Sequence, residues 1–548
     1  MKGFGKYVPV IALILAVLGI AAVPGASAQQ KKPNIIVIMG DDIGWFNLGS
    51  YNQGMMLNAT PNLDKLASEG MRFTDYYAEA SCTAGRANFI TGELPIRTGL
   101  TTVGQAGSPL GFPDAAPTIA TAMKTLGYAT GQFGKNHLGD RNHMLPCVHG
   151  FDEYFGYLYH LNAMEDPFYY TYPPEWKNTV GPRNLVHCWA TDTDDPTDQP
   201  RWGPVGKQKI EDEGPLPPGP VDGIKYNMTT FDEVITESTI AFMDNAKKAG
   251  KPFFVWMNPT RAHVLTHLSP KYDAMRNPQS DFGLEEAALK QMDDNIGVVL
   301  NWLKENGLDD NTIVVFTTDN GAEVYTWPDG GTTPFAGAKG EVTEGSFRVP
   351  AIIRWPDHVK PGSVSNGIMS GLDWFPTLVA AAGNPNITDE LLKGKIMGDR
   401  TYKVHLDGYD QTDMIANQGP SKRHEVWYFA QTKLGALRYD NYKYQFIDQP
   451  EGWIGPVITP NMPILTNLRQ DPFERMNWPT RGFSGGSIAY WDSFKHEMWR
   501  FQIPGQIIAK YIPTLIEYPP MQAGASFNVG DLKEKVEAAA KAALANSQ

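Results

Sequence analysis

The chain has 548 residues, 42% hydrophobic and 20% charged, with a formal net charge of −13. This composition excludes a collagen-like or disordered chain and leaves room for a sizeable core. A body this acidic is a poor match for nucleic acid through a general positive field, so any anion site must carry its own Lys, Arg and His.

The N-terminus reads as an export signal. Lys2 and Lys6 supply positive charge, Val10 to Val23 is an apolar run broken only by Gly19, and Ala26-Ser27-Ala28 offers small residues for cleavage. The run is short for a membrane span, which needs about 20 residues. The expectation is a signal peptide over 1–28 and a periplasmic or secreted protein without a stable membrane span. An uncleaved anchor is the alternative, and it too places the body outside the cytoplasm.

Asn34 to Met39 follows as a continuous β-branched run ending in Gly40-Asp41-Asp42. A run without polar alternation suggests a strand buried on both faces of a parallel sheet. Similar runs stand at 252–257, 312–317 and 351–355, with a weaker one at 128–133. Helices alternate with them. Thr60-Pro61 opens one that Gly70 closes, with Pro at the first helical position. Thr118 to Leu126 is another. Thr230-Phe-Asp-Glu233 reads as a capping box for a helix reaching about Ala249. Leu284, Ala288, Met292, Ile296, Val299 and Leu303 recur at helical spacing, and Leu372 to Ala382 forms a further helix.

This alternation predicts an α/β fold: a large mixed, mostly parallel sheet flanked by helices. Residues 160–225 are rich in Pro, Tyr, Trp and Asp and lack periodicity, so they read as a long insertion, pinned through Cys188. From about residue 424 short aromatic runs at 426–429, 435–439 and 442–446 suggest a small antiparallel sheet, and Asp531 to Leu544 reads as a terminal helix. The expected division is therefore 1–28, 29–420 and a smaller C-terminal α+β part at 421–548. Of the three cysteines, Cys147 and Cys188 are the expected disulfide pair, because Cys82 has another use. Three free thiols are the alternative.

In open α/β sheets, ligands sit beyond the carboxyl ends of the strands. Those ends supply Asp41 and Asp42, then Lys135, Asn136 and His137, then His263 with His267 beyond it, then Asp319 and Asn320. Asp41, Asp42, Asp319 and Asn320 offer only oxygen, which suits a hard cation, Ca²⁺ in preference to Mg²⁺. Acids at strand ends can also cap turns. Lys135, His137, His263, Lys339 and Arg86 are the cations an anion would need, and a histidine can exchange protons near neutrality. Cys82 stands in a small-residue loop leading into a helix, whose N-terminus suits an anionic group. A buried or disulfide-bonded cysteine is the other reading of that spacing.

Cys82-Thr-Ala-Gly-Arg86 with Thr91-Gly92 resembles the sulfatase signature, Cys-x-Pro-x-Arg followed by Thr-Gly. Other segments agree in order: Asn34 to Asp42, Gly134-Lys-Asn-His-Leu-Gly139, Thr318-Asp-Asn-Gly321, Lys339-Gly340 with Glu344-Gly345, and Asn467 to Pro472. The resemblance spans roughly residues 33–480 and makes 29–420 the catalytic domain. It implies that a maturase converts Cys82 to formylglycine, whose hydrated aldehyde attacks sulfur and later releases sulfate as the aldehyde reforms. By position, Arg86 would hold the hydrated aldehyde, and Lys135 would anchor it and the sulfate. His137 would be the base that triggers release. His263 and Lys339 would contact the sulfate, and His263 would help protonate the leaving oxygen. A cation at Asp41, Asp42, Asp319 and Asn320, also touching the modified residue 82, would act as a Lewis acid.

Three positions depart from the family pattern. Ala84 replaces Pro and Gly85 the common Ser, which bears on conversion of Cys82. Asn136 replaces Trp, which bears on packing near His137. The implied activity is hydrolysis of aryl or other small sulfate monoesters. The alternatives are a phosphonate monoester or phosphodiester hydrolase with a similar nucleophile, and an unconverted protein that binds sulfate esters without turnover.

Overall fold

The computed structural model describes residues 32–324, 330–475 and 495–528. The expected signal peptide and the Asp531–Leu544 helix lie outside them. The main sheet has ten strands: β1 (Asn34–Gly40), β2 (Met71–Phe73), β3 (Ala129–Lys135), β4 (Glu153–Tyr157), β5 (Val186–Gln199), β6 (Gly203–Asp212), β7 (Phe253–Asn258), β8 (Thr312–Thr318), β9 (Ala351–Arg354) and β10 (Ser363–Ser365). Their order is β10-β2-β9-β8-β1-β7-β3-β4-β5-β6. The central block β8-β1-β7-β3-β4 is parallel.

The apolar runs become central strands because both faces are covered. Ile35, Val37 and Met39 of β1 enter one core, while Ile36 and Ile38 enter the other. Phe254 and Trp256 of β7 join the first, and Val255 and Met257 the second. Each such fully buried side chain contributes roughly 1.5–3 kcal/mol, so these runs have no solvent-facing register to slip into.

Among the helices are α1 (Pro61–Glu69), α2 (Cys82–Thr91), α3 (Ile119–Thr125), α4 (Leu161–Glu165), α5 (Phe231–Lys248), α6 (Leu284–Glu305) and α7 (Trp374–Ala381). α1 starts on Pro61 as expected. Thr118 caps α3 by accepting from Thr121 N–H at 2.9 Å. The capping box at Thr230–Glu233 does not form. Thr230 makes no side-chain cap bond, and Glu233 instead accepts from Gln291 of the packed α6 at 2.8 Å.

The structure adds detail at three places. The run at 351–355 is a strand, but β9 pairs antiparallel with both β8 and β2. Among its described residues, the segment between β8 and β9 holds only the short helix Glu344–Phe347, and a parallel return needs a full crossover. Within the 160–225 insertion, β5 and β6 form a long hairpin that extends the main sheet beyond β4. Its outer half is solvent-exposed on both faces, so no hydrophobic alternation marks it. At its base Val186 and Cys188 alternate inward. The C-terminal sheet has four antiparallel strands: β11 (Glu425–Ala430), β12 (Lys433–Tyr439), β13 (Tyr442–Gln445) and β14 (Ile464–Asn467), the last of which was not anticipated. Beyond it lies α8 (Gln502–Glu517). Pro504, Gly505 and Pro513 argue against a helix there by sequence, yet Pro504 falls in the first turn, where its missing N–H costs little.

Cys147 and Cys188 are joined, and Cys82 is the free cysteine. The bridge ties β5 to the segment after β3 across a sequence separation of 41 residues. Replacing both half-cystines with Ser is expected to remove about 2–4 kcal/mol of stability, read as a lowered thermal midpoint against the wild-type protein. An unchanged midpoint would show that the hairpin does not need its pin.

Candidate active site

Four parallel strands deliver their carboxyl ends to one rim. β1 leads to Asp41 and Asp42. β3 ends on Lys135 and leads to His137, β7 leads through a short loop to His263, and β8 leads to Asp319 and Asn320. α2 sets Cys82 above them as its first residue. Ligand atoms of Asp41, Asp42, Cys82 and Asp319 all lie within 4.8 Å of one another, and all four residues are buried. Asp42 and His137 both hold a positive φ, 61° and 59°. Non-glycine residues rarely adopt this conformation, and it tends to gather at functional sites.

The expected lysines and arginine are present, and each already has a carboxylate. Lys135 Nζ meets Asp41 Oδ2 at 2.6 Å, and Arg86 Nε meets Asp319 Oδ2 at 2.8 Å. Lys339 Nζ lies 2.7 Å from both Asp42 Oδ1 and Glu323 Oε2. Arg86 also donates to the Lys135 carbonyl at 3.1 Å and to Asn258 Oδ1 at 3.0 Å, so one guanidinium links three strand ends. Three fixed cations therefore face the four carboxylates of Asp41, Asp42, Asp319 and Glu323. The pocket is not the positive basin its sequence suggests.

Three buried oxygens, Asp41 Oδ1, Asp42 Oδ2 and Asn320 Oδ1, have no hydrogen-bond partner. Buried acceptors without partners are costly, and together they form a hard, oxygen-rich donor set that fits a divalent cation. Such a cation would also turn the formal excess of negative charge into an excess of positive charge.

Burial opposes ionisation of Asp42, but Lys339 and His263 outweigh it and hold its carboxyl well below the usual range. Asp319 is pushed up to about 6 by burial and by Asp41, against the pull of Arg86. Burial raises the Cys82 thiol far above its ordinary value, and Lys135 and Lys339 only partly offset this. A thiol held protonated is a poor nucleophile.

The histidines have defined tautomers. His137 Nε2 lies 3.1 Å from the Gly104 carbonyl and must donate to it, so Nδ1 keeps the lone pair, buried and without a partner. Burial and then Lys135 hold His137 well below its ordinary pKa. His263 Nδ1 donates to the Val264 carbonyl at 2.8 Å, leaving Nε2 turned toward Asp42 Oδ2 at 3.6 Å. Burial lowers its pKa to about 3 despite Asp42. His267, the competing candidate, pairs with Glu165 at 3.0 Å instead. Asn136 is buried and accepts from Gln132 at 3.1 Å.

Gly85 has a steric reason to depart from Ser. A Cβ there would lie 1.8 Å from the Asp319 carbonyl oxygen. α2 thus approaches the end of β8 backbone to backbone, and a backbone carbonyl cannot swing aside. Gly85→Ser is expected to cost at least about 1–3 kcal/mol and to displace Cys82 from Asp319, read as a lower thermal midpoint together with lost turnover.

Three neighbours were not singled out by sequence. Glu323 braces Lys339 and follows Asp319-Asn320 closely, so extending that motif would have found it. His160 stacks on His263 and lies beyond the end of β4, a strand that sequence analysis passed over. Trp453, from the C-terminal part, lies 5.9 Å from Lys339 Nζ and against Gly340. Only tertiary contact brings it there.

The family described as Sulfatase matches residues 33–384. Human N-acetylgalactosamine-6-sulfatase is 30% identical over 478 residues, covering 82% of each chain. Bovine (Bos taurus) arylsulfatase A is 31% identical over 485 residues, covering 83% of this chain and 85% of the relative. Among solved structures, the PsFucS1 sulfatase from Pseudoalteromonas sp. superposes with a TM-score of 0.72 at 27% identity, covering 90% of this chain and 92% of that one.

Proposed function

We propose that this chain, which belongs to the sulfatase family, works through a formylglycine made from Cys82 and a divalent cation held by Asp41, Asp42, Asp319 and Asn320. The chain is a sulfatase, and hydrolysis of sulfate esters is its chemistry. The observation that carries the finer reading is the buried cluster of Asp41, Asp42, Asp319 and Cys82, with three unpartnered oxygens beside it.

Formylglycine, when hydrated, supplies a hydroxyl nucleophile that the protonated Cys82 thiol does not. The cation supplies Lewis-acid polarisation of a sulfate oxygen. Lys135 and Lys339, each fixed by a carboxylate, offset charge on the sulfuryl oxygens without having to reorganise. His137 presents the Nδ1 lone pair as a base. His263 keeps its Nδ1–H on a carbonyl, so Nε2 is a lone-pair edge that must first take up a proton before one can pass to the leaving oxygen. Arg86 holds the strand ends in register beneath Cys82. Ca²⁺ suits several carboxylates in irregular geometry better than Mg²⁺ does.

The decisive experiment is the mass of the Cys82 peptide from native-host protein, read beside sulfate release from nitrophenyl sulfate and saccharide sulfates. Full activity with an unmodified thiol would sink the mechanism. Comparison of kcat/KM on sulfate and phosphonate monoesters separates the phosphonate hydrolase. Binding without turnover after co-expression with a maturase would identify the unconverted binder.

Dialysis against a chelator is expected to abolish turnover and lower the thermal midpoint. A cation present at a hundred times its Kd stabilises by about 2.7 kcal/mol. Both effects should reverse with Ca²⁺ more fully than with Mg²⁺.

Export rests on residues 1–28, and N-terminal sequencing starting at Gln29 is the expected result. No helix among the described residues is long and apolar enough to cross a membrane. We also propose that the α/β domain ends near residue 420, before the sheet that carries Trp453 to the site.

A further inference from the structure

Gln522 stands in the stretch of chain that follows α8, remote in sequence from the strands that build the site. Its side-chain amide donates to two carbonyls at once, Thr98 O at 2.8 Å and Gly111 O at 2.7 Å. A carbonyl can only accept, so the orientation of the amide is fixed and both of its donors are used. The two carbonyls flank one loop, residues 99–110, and Gln522 ties its two ends together. The neighbouring backbone lies along the same stem. Met521 N–H donates to Arg97 O at 2.8 Å and Ala525 N–H to Gly99 O at 3.0 Å, while Thr101 Oγ1 donates to Ala525 O at 2.7 Å. The approach is close: a Cβ on Gly99 would lie 2.5 Å from Gln522 Cγ and 2.8 Å from the Ala523 carbonyl oxygen. Farther on, Phe527 rests against Trp453 with ring centroids 5.8 Å apart.

The tied loop carries Gly104 to His137. The Gly104 carbonyl accepts from His137 Nε2 at 3.1 Å, the bond that leaves Nδ1 with its lone pair. Gly104 N–H donates to Thr83 Oγ1 at 2.9 Å, and that hydroxyl donates to the His137 carbonyl at 2.9 Å. Gly107 N–H donates to Asp140 Oδ2 at 2.7 Å, and just past the loop Phe112 N–H donates to Leu138 O at 2.7 Å. Loop and His137 segment are thus bonded to each other along their length. The loop contains no helix or strand, so its shape comes from its tethers and from how its ends are held.

We infer that Gln522 is a positioning residue for sulfate release: by tying Thr98 to Gly111 it holds the Gly104 carbonyl on His137 Nε2 and keeps the Nδ1 lone pair available as the base. The inference rests on the sulfatase reading of the site, in which His137 takes up a proton as sulfate leaves. Gln522 touches no reacting atom. Without its acceptor the imidazole is free to turn, or to carry its proton on Nδ1, the nitrogen that has to accept one. The step that frees the alcohol does not use His137, so only the later step should suffer. In two-step covalent catalysis, slowing the second step alone lowers kcat and KM together, leaves kcat/KM unchanged and produces a burst of the first product.

The test uses full-length matured enzyme with Gln522→Met, which keeps the length of the side chain and removes both donors. Thr101→Val breaks an independent contact of the same tail, and Thr101→Ser retains its hydroxyl. Rates are taken per converted Cys82, read from the mass of its peptide. The substrate is whichever of nitrophenyl sulfate, galactose sulfate and N-acetylgalactosamine sulfate the wild type turns over fastest. Gln522→Met should lower kcat by about 10-fold, within the loss of up to about 10²-fold that follows a small misplacement of a catalytic group. KM should fall in step, with a burst of alcohol stoichiometric with converted sites. Thr101→Val should move the same way, and Thr101→Ser should stay near wild type. Hydrogen exchange over residues 99–111 should quicken in Gln522→Met, in converted and unconverted protein alike, while the main sheet keeps its wild-type rates. The inference is overturned by an unchanged kcat, by a kcat/KM that falls with kcat, by the absence of a burst, or by exchange that is unchanged over 99–111 or raised throughout the molecule. A converted wild-type enzyme that frees sulfate from no ester overturns the sulfatase reading instead, and exchange in the unconverted protein then still decides whether Gln522 holds the loop.

Discussion

Cys82→Ala is expected to reduce sulfate release by about 10⁴-fold or more while leaving the fold intact. Removing a covalent nucleophile costs on that order wherever the rest of the site depends on it. The fold should survive because the thiol is weakly engaged: among the described residues its side-chain hydrogen bond is the long one from Sγ to Asp42 Oδ1 at 3.9 Å. The strong contacts of the site run between Lys135 and Asp41, Arg86 and Asp319, and Lys339 and Asp42, and none uses sulfur. The measurement is kcat on the best sulfate ester beside circular dichroism and a thermal scan. Activity above a hundredth of wild type would exclude residue 82 as the nucleophile. Wild-type protein made in a host without a maturase should behave like the variant, since burial keeps its thiol protonated.

Arg86→Ala is expected to damage folding as well as catalysis. Arg86 is fully buried and bonds to Asp319, Asn258 and the Lys135 carbonyl. Removing one partner of a buried ion pair costs about 3–5 kcal/mol, because the other charge is left unpaired. Asp319 would then face Asp41 without its guanidinium, although burial and Asp41 already push its pKa up to about 6. Low soluble yield and a reduced thermal midpoint are the expected readings. Added Ca²⁺ should recover part of the midpoint, since a cation supplies positive charge to the same carboxylate. Arg86→Lys should recover less activity than stability, because an ammonium cannot span three acceptors as the planar fork does. An Arg86→Ala protein with an unchanged midpoint would show that this ion pair does not hold the rim.

The sequence marked one group of these residues because each follows a strand that local periodicity reveals, while Cys82, Arg86 and Lys339 follow no such strand and took their roles from the resemblance. Asp41, Lys135, His263 and Asp319 all lie at or just after apolar runs legible one residue at a time. The same rule missed His160, because Glu153–Tyr157 mixes polar and small residues and does not read as a strand. The hairpin β5–β6 escaped for a related reason: solvent on both faces of its outer half removes the alternation that marks a strand. α8 escaped because its prolines read as breakers when their position in the helix is unknown.

By itself, the sequence determined that an α/β sheet carries acids, lysines and histidines to one rim beneath a cysteine, because strand burial and residue type are local properties. Only the tertiary structure decided which charges pair, that His263 and not His267 faces Asp42, that β9 runs antiparallel, and that Gly85 must lack a side chain. Those outcomes depend on distances between residues far apart in the chain, down to the 1.8 Å that a Cβ at Gly85 would leave to the Asp319 carbonyl. The charge balance of the pocket followed the same division. Composition called for local cations, and packing then paired both lysines and Arg86 with carboxylates.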